Sequence, residues 1–162
     1  MRRLAVILLA LVLPSTAAAA SLTFTVSPTG PITAPGITLS GDDQTATFTM
    51  QYTVSYTPPS NTLGWNFQAA STLLTSGVYT LPAMEVTGVT YGACSGGGCT
   101  TPTNSITWPV TLSTTSQKIF NAAAGTGTRT NVLTATYLVS YPANAIAGTY
   151  SATVTLACIE GP

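Results

Sequence analysis

The chain has 162 residues, of which 45% are hydrophobic, 5% are charged and none is histidine. Without histidine there is no Ser-His-Asp triad, no Cys-His pair and no H-E-x-x-H zinc site, and four Lys+Arg against four Asp+Glu leave no basic footprint for nucleic acid. The length favours one domain, long enough to bury a core of its own.

The first segment reads as a targeting signal. Arg2 and Arg3 precede an apolar run over residues 4–13, and Ala17 to Ala20 supply small residues. This is the layout of a secretory signal peptide cleaved after Ala20. The run is about half of the ~20 residues that a membrane span needs, so no span is expected in the mature chain, residues 21–162. Beyond Ala20, Lys118 and Arg129 stand against Asp42, Asp43, Glu85 and Glu160, a net charge of −2. Lys118 and Arg129 have no acidic neighbour in sequence and read as surface residues.

Strands follow. Over residues 47–56, Phe48, Met50, Tyr52, Val54 and Tyr56 alternate with Thr, Gln and Ser, the period of a half-buried strand. Ile106, Trp108, Val110 and Leu112 alternate likewise, and Pro109, which cannot donate to a ladder, places that strand at an edge or bulge. Tyr150, Ala152, Val154, Leu156 and Cys158 form the apolar side of a last strand. Weaker patterns cover residues 22–27, 64–70, 84–91 and 131–141. Pro/Gly/Asn/Asp clusters punctuate the runs, and no window sustains a helical period; residues 122–124 could form one turn before Gly125. Short strands with frequent turns predict an all-β fold, a single antiparallel β-sandwich of the Ig-like or Greek-key type over residues 21–162, with a closed barrel as the alternative.

The cysteines are Cys94, Cys99 and Cys158. Export implies an oxidising compartment, and the Ser-Gly-Gly-Gly between Cys94 and Cys99 is flexible enough for bridging geometry. A Cys94–Cys99 disulfide is expected, with Cys158 either a buried, inert thiol or paired with a loop cysteine or with another chain. The spacing does not fit C-x-x-C, so no metal is expected there.

Catalytic candidates are few. Asp42 and Asp43 are neighbours in a turn, Glu160 is near the C-terminus, and Glu85 stands alone. This is an incomplete acid–base set for a hydrolase, and no cofactor is expected. Aromatic rings are the remaining candidates for binding, since an exposed ring can stack on a sugar. Most are expected in the core, with Trp65, which follows Gly64 at the end of a Pro/Asn loop, the best candidate for exposure.

Three stretches carry a resemblance to one family, among them the middle segment V-T-L-S-T-T-S-Q-K-I-F-N-A-A-A-G-T-G, from Val110. The segment Y-T-P-P-S-N-T-L-G-W-N-F-Q-A-A-S, from Tyr56, resembles the first signature of WxL-domain cell-surface proteins, with Phe67 in place of the usual Leu after Trp65. The tail Y-P-A-N-A-I-A-G-T-Y-S-A-T-V-T-L, from Tyr141, resembles the approach to the second signature through Pro142, Ala147, Gly148 and Tyr150. Leu156 and Cys158 stand where that signature has Trp and Leu. The resemblance implies an all-β domain attached non-covalently to the bacterial cell wall through peptidoglycan, with Trp65, Phe67 and Tyr150 as candidate wall-binding residues. The expectation is therefore a secreted, non-enzymatic cell-surface protein whose partner is peptidoglycan or another envelope polymer. The alternative is a structural subunit of a pilus, spore coat or surface layer, assembled through edge strands.

Overall fold

Period-2 alternation dominates the sequence, and strands dominate the computed structural model, which describes residues 21–27, 32–57, 64–96, 104–122 and 129–161. The expected signal segment, residues 1–20, lies outside the described residues. In chain order the strands are β1 (Ser21–Ser27), β2 (Ile32–Thr33), β3 (Gln44–Thr57), β4 (Trp65–Ser71), β5 (Thr75–Ser76), β6 (Tyr79–Thr80), β7 (Glu85–Ser95), β8 (Val110–Thr111), β9 (Gln117–Ala122), β10 (Arg129–Tyr141), β11 (Ser151–Ala152) and β12 (Val154–Glu160). There is no helix among the described residues. All pairings are antiparallel.

The strands form three sheets rather than the two of a simple sandwich. One has the order β1-β3-β10-β7-β8, a second β2-β11-β5-β6 and a third β12-β4-β9. The last predicted strand is divided between two of them. β11 pairs with β2 and β5, and after Thr153 the chain enters β12 and pairs with β4. Alternation survives that change of sheet, which is why the sequence shows one continuous pattern.

The long pair β3–β10 is the spine of the fold. It runs in unbroken register from Arg129 opposite Tyr56 to Tyr141 opposite Gln44. Its inner face buries Met50, Tyr52, Val54 and Tyr56 from β3 and Leu133, Ala135, Tyr137 and Val139 from β10. The three-stranded sheet contributes Trp65, Phe67, Ala69, Ile119, Phe120 and Ala122 to the same buried cluster. Tyr52 and Phe67 meet across the two sheets with ring centroids 4.5 Å apart. Burying a ring such as Phe67 contributes about 2–3 kcal/mol. Leu74, Leu81, Met84 and Leu112 close the core from connecting segments.

Three expectations are corrected. The strand predicted around Pro109 is reduced to the two residues of β8; it does lie at a sheet edge. β9 was not predicted, and its region held only the candidate turn at residues 122–124. The β4–β9 register shifts between Phe67 and Gln68, pairing Phe67 with Phe120 and Gln68 with Lys118. The extra residue, Ile119, is buried next to Phe120, and a bulge of this kind erases strict alternation. Arg129, read as a surface residue, is buried. It is the first inward position of β10, opposite Tyr56.

Candidate functional site

The candidate wall-binding rings lie inside the molecule. Trp65 is 2% exposed, Phe67 0% and Tyr150 4%. Trp65 packs on Phe120, with centroids 5.7 Å apart, and is preceded by Gly64, whose φ of 81° turns the chain into β4. The carbonyl of Gly64 accepts a hydrogen bond from Gly161 N at 2.9 Å, which ties the start of β4 to the end of β12. Tyr150 lines a cleft but donates its hydroxyl to Ile146 O at 2.7 Å. Stacking on a sugar needs an open ring face, and these three rings have none. Their placement corrects the expectation that they meet a glycan directly. They pack the core because each large ring gains more from burial than it could gain at a surface.

The cysteines divide as follows. Cys94 is disulfide-bonded, and Cys158 is a free, half-buried thiol whose pKa is pushed up to about 12 by burial. Cys99, the expected partner of Cys94, lies outside the described residues.

The carboxylates do not converge. Asp43 accepts a hydrogen bond from Ala143 N at 2.8 Å. Glu85 accepts from Thr111 Oγ1 at 3.2 Å, and Glu160 from Tyr56 OH at 3.2 Å. Asp42 sits beside Ser40 in an exposed turn. No group of three His, Cys, Asp or Glu side chains that could hold a metal ion occurs among the described residues.

What the fold does present is an uncharged face of hydroxyls. Side chains opposite to the core on β3 are Thr45, Thr47, Thr49, Gln51, Thr53 and Ser55. Their register partners on β10 are Ser140, Leu138, Thr136, Thr134, Val132 and Thr130. The rows extend sideways. Thr23 and Thr25 of β1 stand opposite Ser55 and Thr53, and Thr90 of β7 stands opposite Thr134. Thr23, Thr25, Thr45, Thr47, Thr49, Gln51 and Thr90 are exposed, and the β10 members are half-buried between their neighbours.

Strand geometry sets the spacing of this face at about 4.8 Å between strands and about 6.8 Å between alternate residues of one strand. Ser55 Oγ and Thr130 Oγ1 hydrogen-bond at 3.0 Å, and Thr90 Oγ1 donates to Thr134 O at 3.3 Å. The outward-facing side chains of β3 and β10 include no Asp, Glu, Lys or Arg. Such a face can donate and accept hydrogen bonds and offer methyl groups, but it cannot exchange protons near neutral pH.

Composition announces a surface of Thr, Ser, Asn and Gln hydroxyls and amides with little charge, but only the register places the hydroxyls of separate strands on one shared face. Comparisons with protein-family models, with curated proteins and with solved structures return no match.

Proposed function

We propose that the protein is an exported, non-enzymatic surface domain that lies against the glycan of a bacterial cell envelope, peptidoglycan or another polymer, through the hydroxyl face of β3 and β10. The observation that carries this reading is the register of that face, with rows of Thr and Ser crossing three or four strands and no charged side chain on the outer face of the β3–β10 pair, Glu85 of β7 standing at its margin opposite Leu138. A polyol chain offers matching donors and acceptors at the same density, and its C–H faces suit the threonine methyls. Desolvating neutral hydroxyls also costs less than desolvating charges.

In this reading the five-stranded and three-stranded sheets are the two layers of one sandwich, and the four-stranded sheet closes one end. Residues 1–20 direct export. The WxL resemblance is retained as a likeness of core packing, with Trp65, Phe67 and Tyr150 holding the layers together. The scattered carboxylates and the absence of histidine support a binding role over a catalytic one.

Co-sedimentation of the purified protein with isolated wall sacculi tests the proposal. The wild type is retained. Thr49→Glu combined with Thr136→Glu places charge in the middle of the face and lowers retention more than tenfold, while Thr115→Glu, in an exposed turn elsewhere, leaves it unchanged. A wild type that stays in the supernatant, or a face variant that sediments fully, overturns the reading. The alternative, a subunit of a pilus, coat or surface layer, draws on a separate feature, the exposed apolar side chains around β5 and β6.

A further inference from the structure

Two features at one end of the molecule complement each other. The first is the β5–β6 hairpin, in which Thr75 pairs with Thr80 and Ser76 with Tyr79 around the two residues Gly77 and Val78. Gly77 has a φ of 60° and Val78 is not in the positive-φ region. This is the pattern of a type II′ turn, which demands glycine first and leaves the second position open to many residues. That second position is filled by an aliphatic side chain that is 89% exposed, and Tyr79 beside it is 49% exposed. Turn geometry does not require either apolar group there. Val78 and Tyr79 thus make this end of the molecule a small projecting apolar tip.

The second feature is a cleft of about 560 Å³ between residues 33–39 and residues 146–150. The hydrogen bond from Ala34 N to Tyr150 O, at 2.9 Å, ends the β2–β11 ladder. Beyond it the two segments diverge, and residues 36–39 make no backbone hydrogen bond to another described residue. The walls are uncharged and mixed: Ile37, Leu39, Ile146 and the rings of Tyr141 and Tyr150 line them together with Thr33 and Thr149. Both tyrosine hydroxyls are committed, donating to the carbonyls of Pro35 and Ile146. No charged side chain lines the cleft.

Tip and cleft are neighbours. A Cβ built on Gly148, at the rim of the cleft, would lie 2.5 Å from Ser76 Oγ, at the base of the tip. β6 is also the free edge of the four-stranded sheet, so its outer backbone groups need a partner as much as those of residues 36–39 do.

We propose that two copies of this chain form a two-fold dimer in which the Val78–Tyr79 tip of each seats in the cleft of the other. The neutrality of both surfaces removes any charge to be desolvated. Because tip and cleft sit side by side on one end, a two-fold axis makes both contacts at once and closes the assembly; a single head-to-tail contact would leave one tip and one cleft open and would propagate. The edge of β6 then lies against residues 36–39 of the second copy, and the unpaired backbone groups on both sides can meet.

Sedimentation analysis of the purified protein over micromolar to submillimolar concentration tests the dimer. The wild type shows a concentration-dependent monomer–dimer equilibrium. Val78→Asp and Val78→Ser each weaken it at least tenfold, as does Ile146→Asp on the cleft wall, with near-UV circular dichroism unchanged. Val78→Asp mixed with Ile146→Lys, each monomeric alone, restores a heterodimer. A wild type that is monomeric throughout overturns the proposal, as does a Val78→Asp protein that dimerises like the wild type. Binding of the monomer to phosphatidylcholine vesicles, lost in Val78→Asp, also overturns it and assigns the tip to a membrane surface.

Discussion

Tyr52 of β3 and Tyr137 of β10 share a hydrogen bond between their hydroxyls in the interior of the protein, where neither residue is exposed to solvent. Their Cα atoms are not partners; Tyr52 is paired with Leu133 and Tyr137 with Phe48. The two rings lean toward each other along the ladder, Tyr137 stacking on Phe48 with centroids 5.0 Å apart and Tyr52 tilting against Phe67. One phenol donates to the other, so each hydroxyl has a partner inside the core.

This mutual dependence makes the single and double variants differ. Tyr137→Phe strands the Tyr52 hydroxyl in the core, which costs about 1–3 kcal/mol. Tyr52→Phe strands the other hydroxyl at a similar cost. Replacing both removes the need for a partner, so the double Phe variant is destabilised by less than the two single variants together. Urea denaturation of the four proteins measures the coupling directly.

The same pair sets an alkaline limit. Burial pushes Tyr137 up to about 12, and burial together with the facing phenol raises Tyr52 further still. A folded-state pKa above the unfolded value means that the folded state holds its protons more tightly. The associated stability is complete below the unfolded phenol pKa of about 10 and is lost as pH rises beyond it. Stability is thus expected to decline between pH 10 and 12, with tyrosinate absorbance appearing together with the loss of the β-sheet circular dichroism signal. The Tyr52→Phe, Tyr137→Phe double variant shifts that decline to higher pH.

Trp65 tests the separation of packing from binding. It is buried against Phe120 at the start of β4, so Trp65→Ala is expected to cost about 3–5 kcal/mol. Trp65→Phe retains most of the apolar area and costs less. If the ring serves only the core, Trp65→Phe sediments with wall sacculi as the wild type does, at a temperature where both are folded. A selective loss of retention in this variant would return Trp65 to the binding surface.

The elements most legible in the sequence were those whose two faces differ in chemistry. The apolar series from Phe48 to Tyr56 against Thr, Gln and Ser located β3 closely, because one face meets the core and the other meets solvent. β10 was fainter, since Val132 and Leu138 put apolar groups on the outer face while Arg129 and Asn131 put polar ones on the inner face. Asn131 is fully buried and accepts a hydrogen bond from Tyr91 OH at 3.2 Å, a contact between strands that alternation cannot announce. β9 was missed because the bulge at Ile119 buries two consecutive residues. The aromatic residues were rightly expected near strands, but depth depends on which sheet covers them, and Trp65 and Phe67 face the β3–β10 pair. The hydroxyl face was visible only once the register showed that the threonines of separate strands form common rows.

Cysteine chemistry gives a last discriminating measurement. The thiolate is the reactive form, and the burial that pushes the Cys158 thiol up to about 12 keeps it protonated at pH 8. Cys158 lies opposite Phe67 in the β12–β4 ladder and is half-buried, so its surroundings also restrict reagent access. Native protein at pH 8 is therefore expected to react slowly with iodoacetamide, at a rate that rises with urea. In denaturant without reductant a single thiol is expected to react, and peptide mapping places it at Cys158 and recovers Cys94 joined to Cys99. After reduction all three cysteines label. Recovery of Cys158 in a disulfide would displace the expected loop bridge and would place a covalent tie on β12. Fast labelling of Cys158 in the native state would instead show that its surroundings leave the thiol open to reagent.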